Sequence, residues 1–216
     1  MPVVLLLRHG QASAGAADYD VLSDLGREQA RLAGAELARR GLRDPVLVSG
    51  GMTRQRDTLT EALSRWDVDA EPRVDERLDE YDHLHVLREH GDVDGWGGDP
   101  RHLQPVIDEA VTRWAAAEEP GPLGWPAFRD RVRAAADDLL GALPSGRDAV
   151  VSTSGGVVAA LVADLLRAPH ALVPLNRVVV NASLTKVLVG SSGRTLVTFN
   201  DHAHLEGGDR ALLTYR

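Results

Sequence analysis

Cysteine is absent from this chain of 216 residues, which excludes a disulfide framework and any thiolate-bound metal. A chain of this length can bury roughly 70% of the surface its unfolded form exposes, so it needs no covalent staple. An excess of basic residues is also lacking. Lysine and arginine number 24 against 32 aspartates and glutamates, a formal net charge of −8. A protein that holds nucleic acid through its general surface charge is basic, so no nucleic-acid partner is expected. No apolar run approaches the roughly 20 residues of a membrane-spanning helix. The first run, Val3 to Leu7, is too short for a secretory signal core. A cytoplasmic protein without membrane association is expected. Nothing in the sequence indicates an oligomeric state.

What is present reads as one domain over residues 1–216. Val3 to Leu7 is a continuous apolar run suited to a strand buried on both faces. Ser23 caps a predicted helix running to about Arg40, with Leu25, Leu32, Ala33 and Leu37 as its apolar stripe and Gly41 closing it. Val46 to Val48 reads as a second buried strand, and Met52, Leu59, Ala62, Leu63 and Trp66 fall at helical spacing after it. Strand, helix, strand, helix is the signature of a parallel α/β sheet.

Residues from about 76 to 147 differ in character and are predicted to form a helical insertion, a cap over the sheet edge. It holds a Gly-rich turn at Gly95 to Gly98 and one helix with Leu103, Val106, Ile107, Ala110 and Trp114 on a face. A break at Glu119 to Gly124 precedes a second helix from about Pro126 to Leu143. Trp96, Trp114 and Trp125 are expected as packing residues. Strand character returns at Ala149 to Ser152, followed by a helix carrying Val157, Val158, Leu161, Val162, Leu165 and Leu166. Val178 to Val180, Thr185 to Val189 and Thr195 to Phe199 are further strand candidates, and the tail beyond Asn200 reads as loop. The predicted architecture is a three-layer α/β/α sandwich with a mostly parallel sheet and a helical cap insertion.

Ligands bind beyond the carboxyl ends of the strands in an open parallel sheet. Three polar clusters stand at such ends: Arg8-His9-Gly10-Gln11, Ser49-Gly50-Gly51 with Arg54, and Thr153-Ser154-Gly155-Gly156. Two guanidinium groups match the oxygens of a phosphate monoester. Helix N-termini after glycine turns add N–H donors. A neutral imidazole between flanking arginines is a capable nucleophile near neutral pH. Glu80, just after the plausible strand Glu71 to Val74, is the best-placed acid for the leaving oxygen. Gln11 and Ser13 are candidate substrate contacts. His83 with His85, and His202 with His204, invite a metal reading, but no convincing third ligand stands at motif spacing. No metal site is therefore expected.

These residues resemble the histidine phosphatase superfamily, the group that includes the phosphoglycerate mutases. Leu7-Arg8-His9-Gly10-Gln11 is similar to its Arg-His-Gly signature, and Leu22 to Ala30 to its Leu-Ser-x-x-Gly-x-x-Gln-Ala helix start. Ser49 to Thr58 resembles the segment with the second phosphate-binding arginine, here Arg54; Leu78 to Tyr81 resembles the proton-donor segment, and Asn200 to Leu205 the closing one. The resemblance implies a phosphohydrolase acting on a small phosphorylated substrate. His9 would attack phosphorus, Glu80 would protonate the leaving group, and water would hydrolyse the phosphohistidine, without metal or cofactor.

One departure stands out. Where the family has Ser-His-Gly-Gly after the late strand, this chain reads Thr153-Ser154-Gly155-Gly156, so Ser154 takes the place of the second histidine. A hydroxyl can still donate to a phosphate oxygen but carries no charge. Loss of one preorganised donor costs roughly 10²–10³ in rate, so either activity is low or another group compensates. His83 is the first candidate, then His202 and His204. Three alternatives remain: a mutase-type phosphoryl transfer, a weakly active module that binds phosphorylated ligands or partners, and a serine hydrolase using Ser154. The last lacks the Gly-x-Ser-x-Gly elbow.

Overall fold

The computed structural model describes residues 1–13, 20–92, 100–117, 120–191, 193–207 and 210–215. The expected turn Gly95 to Gly98, with Trp96, lies outside the described residues, as does the side chain of Leu103. The described strands are β1 (Val3–Arg8), β2 (Val46–Ser49), β3 (Arg73–Val74), β4 (Ala149–Thr153), β5 (Leu184–Gly190) and β6 (Gly193–Asp201). The helices are α1 (Asp24–Arg39), α2 (Thr53–Leu63), α3 (His83–His90), α4 (Pro100–Ala116), α5 (Trp125–Ala142), α6 (Gly155–Leu165), α7 (Leu172–Val178) and α8 (Ala203–Glu206).

The strands form one sheet in the order β3-β2-β4-β1-β5-β6. β1 runs parallel to β4, β4 to β2 and β2 to β3, whereas β5 is antiparallel to β1 and β6 to β5. The two-residue alternation of a strand divides β1 between two cores. Leu5 and Leu7 face Ala33, Leu37, Leu59 and Trp66 of the α1–α2 side. Val4 and Leu6 join Val132 and Leu139 of α5 and Val158 and Val162 of α6 on the other. The result is the three-layer α/β/α arrangement, with β1 and β4 at its centre.

α1 begins at Ser23, whose hydroxyl accepts from the Gly26 N–H at 3.0 Å. It ends before Gly41, which adopts φ +60°. The apolar stripe is narrower than expected: Ala33 and Leu37 are buried, while Leu25 and Leu32 are only partly so. Gly26, Gln29, Ala30 and Gly34 fill the rest of the buried face. α5 shares the main core with β1 and β4 rather than standing over an edge. Trp114 and Trp125 meet there with ring centroids 5.4 Å apart.

Two expectations are corrected. Val178 to Val180 is not a strand: α7 runs through Val178, and the next two residues are buried extended chain outside the sheet. The Val180 N–H and the Val179 carbonyl bond to side chains instead of a neighbouring strand. Val180 N–H donates to Asn200 Oδ1 at 2.7 Å, and Arg8 Nη1 donates to the Val179 carbonyl. The tail beyond Asn200 is partly helical, forming α8 and a further turn at Arg210–Leu212. Among the described residues no helix is long and apolar enough to cross a membrane.

Candidate active site

The site grows from the end of β1. His9 continues the parallel pairing by donating its N–H to the Thr153 carbonyl at 2.8 Å. Its own carbonyl accepts from Ala182 N–H at 3.2 Å and Asn181 Nδ2 at 3.1 Å. Gly10 then passes so close to α1 that a Cβ there would stand 2.3 Å from the Gly26 carbonyl oxygen, and one on Gly26 would stand 2.1 Å from that of Gln11. The glycine after His9 and the glycine opening α1 are thus one mutual packing requirement. This contact fixes the turn that carries the imidazole.

The imidazole is 5% exposed and its two nitrogens are distinguished. Nδ1 lies 2.7 Å from the Gly10 carbonyl, which can only accept, so Nδ1 carries the proton. Nε2 therefore presents its lone pair, and Arg54 Nε donates to it at 3.2 Å. Burial, then the charges of Arg8 and Arg54, hold the His9 pKa well below its ordinary 6.5, against a smaller upward pull from the Gly10 carbonyl. The ring is neutral, with its nucleophilic nitrogen facing a guanidinium.

Arg54 comes from the first turn of α2 and is buried. Asp20 accepts from Arg54 Nη1 at 2.8 Å and from the Thr53 N–H at 2.7 Å, so one carboxylate both caps the helix and orients the guanidinium. Glu80 follows the single turn Glu76–Leu78. Its Oε2 accepts from the Gly156 N–H at 2.9 Å and its Oε1 from the Tyr81 N–H at 3.1 Å. Burial raises its pKa above the ordinary 4.5, outweighing the opposing pull of the Gly156 N–H and of Arg54.

Arg8, His9, Arg54, Glu80, Gly155 and His83 all line one cleft of about 230 Å³. His83 stands at its exposed rim. Ser154 does not line it. Its hydroxyl is fully buried and accepts from Gln55 Nε2 at 2.8 Å. Gln11 and Ser13 do not line it either: Gln11 Oε1 accepts from Ser23 Oγ at 2.9 Å, and Ser13 donates its N–H to the Val21 carbonyl. His202 and His204 are engaged elsewhere. His202 Nδ1 is 2.6 Å from the Asn200 carbonyl, and His204 Nε2 is 3.0 Å from that of Ala182. The compensating role considered for them finds no geometry here. Among the described residues no group of three His, Cys, Asp or Glu is placed to hold a metal ion.

Sequence reasoning passed over several residues. Asp20 sits three positions before Ser23 and gave no signal of its own. Tyr81 adjoins Glu80 and lines the cleft. Gln104, Ile107 and Asp108 of α4, Asn176 and Arg177 of α7, and Tyr215 also line it. Asn176 Nδ2 donates to the Tyr81 hydroxyl at 3.3 Å. A Cβ on Gly155 would lie 3.1 Å from Asn176 Oδ1 and 3.3 Å from Arg8 Nε, so these two side chains flank the same point of the α6 N-terminus.

The family description "histidine phosphatase superfamily (branch 1)" matches residues 4–202. No curated protein is a significant match to the chain. Among solved structures, a mycobacterial glucosyl-3-phosphoglycerate phosphatase in complex with inorganic phosphate is 27% identical, with TM-score 0.65, covering 95% of this chain and 100% of that one. The product of a Mycobacterium tuberculosis open reading frame is 25% identical, with TM-score 0.63 and coverage of 93% and 97%. The Bacillus stearothermophilus protein YhfR shares the fold at TM-score 0.69 and 19% identity, covering 95% and 100%.

Proposed function

Because the chain belongs to the histidine phosphatase superfamily, we propose that it is a phosphohydrolase that cleaves a small phosphate ester through a phosphohistidine on His9. The observation that carries this reading is the fixed tautomer of His9, with Nδ1 tied to the Gly10 carbonyl at 2.7 Å and Nε2 facing Arg54 at 3.2 Å. A bound phosphoryl group would draw the Arg54 and Arg8 guanidiniums to its oxygens and free the Nε2 lone pair. Nε2 then forms a bond to phosphorus as the P–O bond to the alcohol breaks. Glu80 gives its proton to the departing oxygen. The positive charge left on the ring is stabilised by the Gly10 carbonyl at Nδ1. In the second step Glu80 takes a proton from water as that water attacks phosphorus, releasing phosphate and restoring His9.

Three equatorial oxygens need donors. Arg8 and Arg54 supply two positions. With the Ser154 hydroxyl turned to Gln55, the third falls to the Asn176 amide, which stands beside Arg8 over Gly155. In the same reading α3 and α4 form the covering part of the insertion at about 76–147, with the rest of residues 1–216 as a single domain, and the protein acts in the cytoplasm without metal or cofactor.

The test is turnover of p-nitrophenyl phosphate with and without EDTA, paired with acid quenching to trap labelled phosphate on the protein. EDTA-insensitive turnover that His9→Ala abolishes, with acid-labile label on His9, is expected. No turnover across a panel of phosphate esters would favour the ligand-binding module instead, and label transferred to an isomeric hydroxyl would favour the mutase.

A further inference from the structure

The cleft carries a second charged station apart from the nucleophile. Asp108 of α4 and Arg177 of α7 both line it and face each other, Arg177 Nη2 donating to Asp108 Oδ2. The Asp108 side chain is 14% exposed and accepts a further hydrogen bond from Gln104 Nε2 at 2.6 Å. The charge balance of the lining is informative. Arg8 and Arg54 offset the dianion of a phosphate monoester, and Glu80 serves as the acid. Among the described residues that line the cleft, what remains for the rest of the substrate is one carboxylate and one guanidinium, with His83 at the rim.

A second anionic group there would reach Arg177 only beside the Asp108 carboxylate, and a cation would meet the reverse problem. A hydroxyl group donates and accepts at once, so it satisfies both members of the pair without separating them. Three of the neighbouring wall groups are neutral and likewise two-sided, the Gln104 amide, the Asn176 amide and the Tyr81 hydroxyl, with Ile107 and Tyr215 beside them. Resting on the phosphohydrolase reading above, we propose that the cleft selects phosphate monoesters of neutral polyhydroxy alcohols, with Asp108 accepting from their hydroxyls and Arg177 donating to them.

Glycerol phosphate and phosphoglycerate make a matched pair of probes, nearly equal in size and differing by a hydroxymethyl against a carboxylate. The full chain should show kcat/KM roughly tenfold higher for glycerol phosphate, the order of one charge-assisted hydrogen bond. Asp108→Asn removes the charge while keeping the shape and leaves Arg177 unopposed. The ratio between the two substrates should then move by at least tenfold toward phosphoglycerate. Arg177→Gln should move it the other way, which keeps the test open if one variant folds poorly. A wild-type preference for phosphoglycerate, or variants that lower both substrates by one common factor as a purely structural link between α4 and α7 would, overturns the proposal. Wild-type protein that hydrolyses p-nitrophenyl phosphate yet shows neither effect sinks this inference alone. Protein that hydrolyses none of the three esters sinks the phosphohydrolase reading, and this inference with it.

Discussion

The Gly156 N–H donates to Glu80 Oε2 at 2.9 Å, and a Cβ on Gly156 would stand 2.2 Å from Oε1 of the same carboxyl. The first turn of α6 has N–H groups without intrahelical partners. One of them holds the Glu80 carboxyl, the acid of the proposed mechanism, and only a glycine lets it come so near. Gly156→Ala should displace Glu80 and the Tyr81 ring, whose Cε1 would lie 2.6 Å from the new methyl. Turnover of an alkyl phosphate should fall roughly 10²-fold, the low end for loss of general acid catalysis. p-Nitrophenyl phosphate should fall less, because its leaving group departs without a proton. Equal losses on the two esters would mean that something other than proton donation was damaged.

The pH profile follows from the two ionisable partners. In the proposed mechanism His9 attacks only when neutral, and its pKa lies well below 6.5 because of burial first, then Arg8 and Arg54. Glu80 would donate only when protonated, and burial raises its pKa above 4.5. With an alkyl phosphate, kcat/KM should rise with pH through the depressed value of His9 and fall through the raised value of Glu80. Glu80→Gln should remove the alkaline limb along with most of the activity. Arg54→Gln takes one cation from beside the ring, so the acid limb should move upward. Steady-state profiles of both variants check this, and an alkaline limb that persists in Glu80→Gln would assign it to another group.

The grouping of Arg8, His9 and Arg54 was legible in the sequence for a topological reason. Arg8, His9 and Arg54 follow the carboxyl ends of β1 and β2, and parallel strands bring such ends to one edge whatever the distance along the chain. The walls were not legible. Val178 to Val180, three β-branched residues in a row, reads locally as a strand. α7 instead runs through Val178, with Leu172 buried in the main core and Val173 and Leu175 packed against it, a tertiary effect that propensity cannot anticipate. Asn176 and Arg177, just before that run, carried no local signal of a site. Asp20 escaped for a similar reason, since its pairing with Arg54 spans 34 positions and leaves no local pattern. Ser154 shows the converse: its place in the chain matched a family position, but the Gln55 amide claims its hydroxyl.

That reversal separates two variants. Asn176 stands beside Arg8 at the α6 N-terminus and lines the cleft, whereas the Ser154 side chain is wholly buried. Asn176→Ala should lower kcat by roughly 10²-fold with little change in KM, as expected for a donor that acts on developing charge. Ser154→Ala should lower kcat by much less and act mainly on stability, by about 1 kcal/mol for the hydrogen bond lost to Gln55. Single-turnover measurements with thermal melts of both variants check the assignment. A larger kinetic defect in Ser154→Ala would return the third donor to the serine.

The helix pair that carries Arg54 also depends on a glycine. A Cβ on Gly34 of α1 would lie 2.0 Å from the Ala62 carbonyl oxygen of α2 and 2.7 Å from its Cα. The atoms it would meet are backbone, which cannot swing aside as a side chain can, so the two helices must separate. Over-packing of this kind costs about 1–3 kcal/mol, set against the fraction of a kcal/mol that alanine gains over glycine within a helix. The steric cost wins. Gly34→Ala should lower the denaturant midpoint with an unchanged slope. Because α2 would move as a unit with Arg54 in its first turn, the Nε to His9 Nε2 contact should lengthen and kcat should fall with the stability. A variant as stable as the parent would show that α1 and α2 have slack at this crossing, and Arg54 would then owe its placement to Asp20 alone.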